Sequence, residues 1–415
     1  MVNNWKKNAI LFLASQNISL FGSSLVQYAI VWHITLTTQS GVMMTISIIC
    51  GFLPTFFLSP FAGVWADRYN RKILIILSDS MIAIATLILA VLFFYGYDPL
   101  WLLFVMSAIR ALGSAIQTPA IGAFLPQLVP VDKLTKVNAT NGSIKALVML
   151  VSPMLSGALL TMSDIVTVFL MDFITAALAV LTLLIFLHVP VHAKAKEKQS
   201  TSYLSDMYKG FEYIKNRGYI KSFFLFCALF FVLAAPVAFL SSLQVTRKFG
   251  SDVWRLTALE ITFSVGMMVG GIIMAAWGAF KNKVHSMALA IIVIGAFTFT
   301  LGFIADFWSY IIITGLIGIT IPVFNTSSTV LLQERVEENY LGRVFGVFGM
   351  ISSVMMPLGM LVFGPLADII RIDWIFVGTG LLLFIQGCFL AGNKVMIEAG
   401  KPIPGGEGPG EERVD

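Results

Sequence analysis

Apolar runs of about twenty residues recur along the whole 415-residue chain, and they constrain its fold more than any other feature. A helix of about that length crosses a hydrocarbon core of roughly 30 Å, whereas a barrel strand needs only about half as many residues. Hydrophobic residues make up 58% of the chain and charged residues 12%, which leaves too little polar surface to cover a soluble globule. We therefore expect an all-α integral membrane protein.

The apolar runs predict twelve spans. They are placed at 8–32, 43–65, 73–95, 100–123, 137–161, 165–187, 222–246, 256–279, 286–306, 308–332, 341–367 and 373–393. The first run lacks a small-x-small cleavage site and is interpreted as an uncleaved span rather than a signal peptide. With a cytoplasmic N-terminus, 21 of the 27 Lys and Arg residues fall on cytoplasmic segments. The positive-inside rule then places both termini in the cytoplasm.

One long interior break divides the twelve spans into six and six. The predicted domains are residues 1–187 and 222–394, joined by a cytoplasmic linker at 188–221 and followed by a disordered tail at 395–415 rich in Pro, Gly and Glu. Apolar linker residues recur at helical spacing at Leu204, Tyr208, Phe211 and Ile214. The linker is therefore either an amphipathic helix on the membrane surface or a solvated segment with accidental periodicity.

Segments of the two halves also have similar sequences. Residues 127–136, before span five, align without gaps on residues 334–343, before span eleven. After a three-residue slip, Pro153 aligns with Pro357. This similarity predicts a pseudo-repeat of two six-helix halves.

A short charged segment separates spans two and three. Its charged and glycine positions are Gly63, Asp67, Arg68, Arg71 and Lys72. They resemble the signature Gly-x-x-x-Asp-Arg-x-x-Arg-Lys of the major facilitator superfamily, with Asn70 where that family most often has glycine. The resemblance implies the major facilitator fold, with a substrate site between the halves near mid-membrane and alternating access. The alternative is a basic stop signal, which any multi-span protein needs beside its helices.

The family's architecture also implies a conformational latch in this segment. It would place Asp67 beside the N-terminus of span eleven, where a carboxylate is stabilised by about 0.3–2 kcal/mol. Asp67 would then hold the cytoplasmic side shut. In the alternative, Asp67 pairs with Arg68 or Arg71 and only keeps the loop folded.

Few ionisable side chains lie inside the predicted spans, where each costs on the order of 3 kcal/mol by insertion scales. Arg110 lies near the middle of span four, and we expect it to pair with Asp172 in span six or Glu260 in span eight. Arg110-Ala-Leu-Gly113 resembles the family's span-four signature, which implies proton coupling by Arg110, Asp172 and Glu260. A lysine could not replace the planar two-donor contact of the arginine. A structural ion pair is the alternative, and Asp79 in span three is the alternative proton carrier.

Polar side chains form stripes at helical spacing on spans that are otherwise apolar. The expected substrate-cavity residues are Gln16, Asn17, Ser23, Gln27, Ser107, Ser114, Gln117 and Asn325. Small serines would alternatively allow close helix packing. In span five, Ser152-Pro-Met-Leu-Ser-Gly157 is similar to the Gly-Pro-x-x-Gly-Gly signature of the antiporter branch, with serine at two glycine positions.

Further segments narrow the resemblance to one branch. Residues 52–54, 118–120, 260–266 and 333–345 resemble the macrolide-efflux branch of bacterial transporters, which includes siderophore exporters. The resemblance implies a monomer in the bacterial cytoplasmic membrane that exports amphipathic small molecules in exchange for protons. A lipid, lysolipid or siderophore translocator and a non-transporting scaffold are the alternatives. The chain has no phosphate-binding loop and no metal or catalytic-triad pattern, so no enzyme, cofactor or nucleic-acid partner is expected.

Overall fold

The computed structural model describes residues 5–187, 213–215, 217–278 and 280–401. In this part of the chain, twelve helices are long and apolar enough to cross a membrane. The prediction of an all-α membrane protein with twelve spans is confirmed. In lipid a helix satisfies all of its own backbone hydrogen bonds, and this is why each long apolar run becomes one helix.

The twelve spanning helices are numbered α1 to α12 in chain order. Those of the N-terminal half are α1 (Trp5–Thr38), α2 (Gly41–Arg68), α3 (Arg71–Phe94), α4 (Leu100–Leu128), α5 (Val131–Met162) and α6 (Ile165–Phe186). Those of the C-terminal half are α7 (Gly218–Phe249), α8 (Val253–Trp277), α9 (Lys283–Leu301), α10 (Phe307–Arg335), α11 (Glu338–Ile369) and α12 (Ile372–Gly392). Helix α7 contains a π-helical turn at Pro236–Leu240, where the proline lacks an N–H group.

Several helix ends differ from the predicted spans. Helix α5 begins at Val131 instead of residue 137, directly after Pro130. Helix α9 ends at Leu301 instead of residue 306, before Gly302. Prolines, glycines and capping side chains set the ends of a helix, so polar residues next to an apolar run can remain helical.

The linker and the tail are described only in part. The predicted linker helix lies mostly outside the described residues, but at its end Tyr213 stacks on Tyr340 with ring centroids 4.4 Å apart. In the tail, which is expected to be disordered from residue 395, the structure has a short helix, α13 (Lys394–Ala399). The Asn393 side chain caps this helix by accepting a hydrogen bond from the Met396 N–H at 3.1 Å.

The chain packs as two compact units. The first comprises Met1–Thr38, Ile46–Ser200 and Asp252–Thr257. The second comprises Gln39–Thr45, Thr201–Ser251 and Ala258–Asp415. The start of α2 belongs to the second unit and the start of α8 to the first.

The pseudo-repeat is visible in the helix bounds. Helices α4 and α10 begin at residues 100 and 307 and end at 128 and 335, so both ends differ by 207 positions. The same offset relates both ends of α5 and α11 and the starts of α6 and α12. The packing repeats as well, because α3 packs on α4 and α6 in the first unit as α9 packs on α10 and α12 in the second.

Candidate functional site

The first unit holds a buried ion pair between α4 and α6. Arg110 Nη1 lies 2.6 Å from Asp172 Oδ2, and the two side chains are 8% and 0% exposed. Thr86 Oγ1 on α3 donates to Asp172 Oδ2 at 3.0 Å, and Ser23 Oγ on α1 donates to Asp172 Oδ1 at 3.2 Å. These four residues, one from each of four helices, are called the Asp172 cluster.

The guanidinium of Arg110 does not make the expected two-donor contact with a carboxylate. Its Nη2 instead donates to the backbone carbonyl of Ser23 at 2.7 Å. Arg110 therefore joins α6 and α1 through separate N–H groups, a fork that a single ammonium group does not reproduce.

A second buried carboxylate, Asp79, lies among uncharged donors. Asp79 is 2% exposed. Its Oδ1 accepts from Ser19 Oγ and from Gln117 Nε2, both at 2.7 Å, and its Oδ2 accepts from Gln16 Nε2 at 3.4 Å. Among the residues the structure describes, no Lys, Arg or His forms an ion pair with it. These four residues are called the Asp79 cluster.

The two clusters form layers in the same group of helices. On three helices, the residue in one layer is seven positions away from the residue in the other layer. These pairs are Gln16 and Ser23 on α1, Asp79 and Thr86 on α3, and Gln117 and Arg110 on α4. Seven residues are close to two helical turns, so each pair shares one face and its members lie about 10 Å apart along the axis. The polar stripe seen in the sequence of α1 is used mainly for these contacts.

The remaining expected cavity residues divide by exposure. Asn17 is buried and donates to Asn141 Oδ1 at 3.0 Å, and Ser107 is buried and donates to the Leu103 carbonyl at 2.9 Å. The exposed members of the set are Gln27, Ser114 and Asn325. The side chains of the exposed members are not covered by protein, whereas the buried ones bond within the first unit.

Glu260, the third expected coupling residue, lies on α8 in the second unit and is half-buried. Within the described part of the chain, no hydrogen bond or ion pair to its carboxylate is found. Among the described residues of the second unit, the Arg110–Asp172 pair also has no counterpart at the repeat-related positions. The positions 207 residues on from that pair are Ile317 and Thr379, both buried.

The basic residues of the α2–α3 segment bind helix ends of the first unit. Arg71 donates to the carbonyls of Ala66 and Ala123, both at 2.8 Å, and Lys72 Nζ donates to the carbonyl of Leu187 at 2.7 Å. Cations are favoured at the carbonyl ends of helices, and these contacts brace α2, α4 and α6. Arg68 is exposed, and a Cβ on Gly63 would meet no atom within 4 Å. The side chain of Asp67 lies outside the described set.

The segment's departure from the family signature has a structural reason. Asn70 is the N-cap of α3, and its side chain accepts the Lys72 N–H at 3.0 Å. Asn282 caps α9 in the same way, accepting from the Val284 N–H at 3.0 Å. Asparagine is a preferred N-cap residue, so the two units begin corresponding helices with the same device.

Sequence reasoning missed a carboxylate that caps α2 within the second unit. Asp368, near the end of α11, accepts from Ser40 Oγ at 2.7 Å and from the N–H groups of Gly41 and Val42 at 2.8 and 2.9 Å. Arg247 Nη2 binds the same carboxylate at 2.7 Å. Ser40 followed by an apolar run signals a helix start, but no local pattern points to a carboxylate more than 300 residues away.

We expect Asp368→Asn to loosen the start of α2. The substitution removes the negative charge at a helix N-terminus and leaves Arg247 without its counter-ion, a loss of about 1–2 kcal/mol. Amide hydrogen exchange of residues 41–45 should then accelerate about tenfold or more. The control is Asp252→Asn, which neutralises a more exposed carboxylate that pairs with Arg255. Equal exchange at residues 41–45 in both variants would contradict the capping role.

Comparisons with known proteins agree with this architecture. The sequence model of the Major Facilitator Superfamily matches residues 10–360. Macrolide efflux protein A of Streptococcus pyogenes is 28% identical over 383 residues, which cover 92% of this chain and 94% of that protein. The Staphyloferrin A transporter of Staphylococcus aureus is 24% identical over 374 residues, covering 89% and 92% of the two chains.

Solved structures show the same fold at low sequence identity. A bacterial homologue of the human lysosomal transporter Spinster, inward-facing and unoccupied, superposes with a TM-score of 0.70 at 14% identity and covers 97% of this chain and 100% of that one. The nucleoside transporter NupG gives 0.68 at 15% identity and covers 94% and 98%. These proteins are transporters rather than enzymes. With twelve spanning helices in two repeated units and a family match over most of its length, the chain belongs to the Major Facilitator Superfamily.

Proposed function

We propose that this transporter exports amphipathic small molecules of the macrolide type across the bacterial cytoplasmic membrane in exchange for protons, with both termini in the cytoplasm. The observation that carries the proposal is the Arg110–Asp172 ion pair, which is buried in one repeat and replaced in the other. The solute class is supported by the similarity to Macrolide efflux protein A over most of both chains.

The repeat itself indicates that the fold does not require this ion pair. The corresponding positions hold Ile317 and Thr379, although α10 has the same bounds as α4 after the offset and α12 begins where α6 does. Replacing a buried ion pair by well-packed uncharged residues is often neutral, or stabilising by about 1–4 kcal/mol. The presence of the Arg110–Asp172 ion pair in only one repeat is therefore better explained by a role in transport than by a contribution to stability.

The geometry suggests how the pair would take part in exchange. Arg110 stays charged, because a guanidinium does not lose its proton in a protein. A proton that binds Asp172 forms an O–H bond on the carboxyl group and removes the charge that holds Arg110. The hydroxyl groups of Thr86 and Ser23 can rotate and accept from the new O–H group, so the carboxyl group stays hydrogen-bonded in both states.

The exposed polar residues of the expected cavity are proposed to contact the solute. Gln27, Ser114 and Asn325 combine hydrogen-bonding groups with exposure inside helices that are otherwise apolar. Such a mixture suits an amphipathic molecule, because a few polar groups orient a ligand whose remaining surface meets apolar side chains.

The test is solute uptake into inside-out vesicles under an imposed pH gradient, with macrolides of different sizes and staphyloferrin A as the panel. Staphyloferrin A is included because a relative is named for its transport. Gradient-dependent uptake of a macrolide is the expected result. Uptake of staphyloferrin A alone would change the proposed solute class. Uptake that does not depend on the pH gradient would contradict proton exchange.

We expect Asp172→Asn and Glu260→Gln to lose uphill transport but to keep downhill exchange of the same solute. An amide has nearly the shape of the carboxylic acid but cannot bind and release a proton at neutral pH. Initial rates are measured in the vesicles with and without the pH gradient. The control, Asp252→Asn, alters a more exposed carboxylate and should transport as the wild type does. If both amide variants pump uphill at normal rates, the proton is carried by another group.

A further inference from the structure

We infer that Asp79 is a proton-binding site of the first unit, separate from the Arg110–Asp172 pair. The inference deepens the proposed proton exchange and rests on it for its role in transport, but proton binding by Asp79 is a property that can be measured without any solute. Sequence reasoning held Asp79 only as an alternative carrier, and the structure supplies reasons to give it a proton site of its own.

The first reason is the difference in charge between the two clusters. Asp172 lies beside a guanidinium at 2.6 Å, which neutralises its charge. The donors to Asp79 are one hydroxyl and two amides, all of them uncharged. Because a buried carboxylate without a counter-ion is costly, Asp79 is the carboxylate of the two whose charge a proton can remove without breaking an ion pair.

Helices α4 and α6 pack on α3, and each of them carries a single charged residue. Helix α4 contributes Arg110, which is committed to Asp172, and helix α6 contributes Asp172 itself. From α1, the uncharged side chains of Gln16 and Ser19 donate hydrogen bonds to Asp79. The Asp79 carboxylate therefore lies one layer away from the Arg110–Asp172 pair, in which the two opposite charges neutralise each other.

The second reason is that the Asp79 cluster can satisfy both protonation states. When the carboxylate is ionised, it accepts three hydrogen bonds, as observed. When a proton binds, one O–H bond forms on Asp79 and no other covalent bond changes. The new O–H group can donate to Ser19 Oγ after the serine hydroxyl rotates. It can also donate to an amide oxygen after the side-chain amide of Gln16 or Gln117 rotates by about 180°, because that rotation exchanges the NH2 donor for the carbonyl acceptor.

The third reason is the position of the cluster between helices. Ser19 and Gln16 belong to α1, Asp79 to α3 and Gln117 to α4, and Gln117 Nε2 also lies 3.4 Å from Gln16 Oε1. A proton on Asp79 therefore changes hydrogen bonds between the same three helices that meet again in the Asp172 cluster two turns away. Proton binding at one layer would in this way reach the ion pair at the other.

A proton fits the Asp79 cluster better than a metal cation. The amide nitrogens of Gln16 and Gln117 and the hydroxyl of Ser19 all direct donors at the carboxylate. A sodium ion at the same place would need oxygen ligands, so both amides would have to turn over together.

The experiment is an infrared pH titration of the purified full-length protein in liposomes, without solute and with choline as the only added cation. The wild type should develop the carbonyl band of a protonated carboxyl group on acidification. Asp79→Asn should lose the component of that band that belongs to Asp79, whereas the matched change Asp172→Asn should keep it. Gln117→Leu removes one donor from the ionised form, so its band should persist to a higher pH by about one unit.

Three results would overturn the inference. They are a wild type without the band, an unchanged band in Asp79→Asn, and a band that sodium abolishes at constant pH, which would make Asp79 a cation site. The Gln117→Leu variant keeps the inference testable if Asp79→Asn does not fold. A failure of macrolide transport would contradict the proposed function but leave these spectra unchanged, so the two outcomes are distinguishable.

Discussion

Replacing Arg110 with alanine is expected to abolish proton-driven transport and to lower the free energy of unfolding by about 3–5 kcal/mol, because Asp172 would remain buried without its counter-ion. Arg110→Lys should rescue transport poorly, since one ammonium cannot reach both Asp172 and the Ser23 carbonyl as the guanidinium does. Transport is measured in inside-out vesicles, and stability by thermal unfolding in detergent.

The second repeat supplies the variant that separates stability from transport. Arg110→Ile combined with Asp172→Thr introduces the residues found at Ile317 and Thr379, where the same helix arrangement packs without charge. The double variant should recover most of the stability lost in Arg110→Ala and still fail to pump. If it pumps uphill at the wild-type rate, the pair serves only the folding of the first unit.

A valine at Gly380 should cause a large loss of stability in the second unit. Helices α9 and α12 touch backbone to backbone there: a Cβ on Gly380 would overlap the Phe299 backbone nitrogen and lie 2.8 Å from the Gly295 carbonyl oxygen. The helices would have to separate, and overpacking of this kind costs about 1–3 kcal/mol, or more when the backbone cannot yield. The expected result is a clear fall in the unfolding temperature in detergent.

The matched control for Gly380→Val lies two residues earlier on the same helix. Gly378 is exposed, and a Cβ there would meet no atom within 4 Å. Gly378→Val adds the same β-branched residue with the same helix propensity, so any difference between the two variants reports the contact with α9. Equal unfolding temperatures would show that this contact does not limit stability.

The sequence predicted the class of fold because the cue is local. Each span is an apolar run long enough to cross the membrane, and the charged loop between spans two and three carries a recognisable pattern. Helix ends were less predictable, as at Val131, where the helix begins directly after Pro130 and hydropathy does not mark the boundary. The glycine contact between α9 and α12 also escaped prediction, because a glycine in a span shows no sign of which helix it touches.

The sequence marks residue types that stand out in a span more readily than it marks their partners. Arg110 and Asp172 stand out as charges in apolar runs, and the structure brings them together. The role of Gln16 and Gln117 differs from the expectation of cavity residues, since both bind Asp79. A polar stripe on one helix looks the same whether it faces water or a carboxylate on a neighbouring helix.

By itself, the sequence determined the spans, the pseudo-repeat and the scarcity of charge within the membrane, because these follow from hydrophobic length and from residues close together in the chain. Only the tertiary structure decided that Arg110 pairs with Asp172, 62 positions away, and that Asp79 lies among uncharged donors. Those choices depend on the rotation of each helix about its own axis. That rotation is set by how side chains pack between helices, so it cannot be predicted from the sequence of one helix.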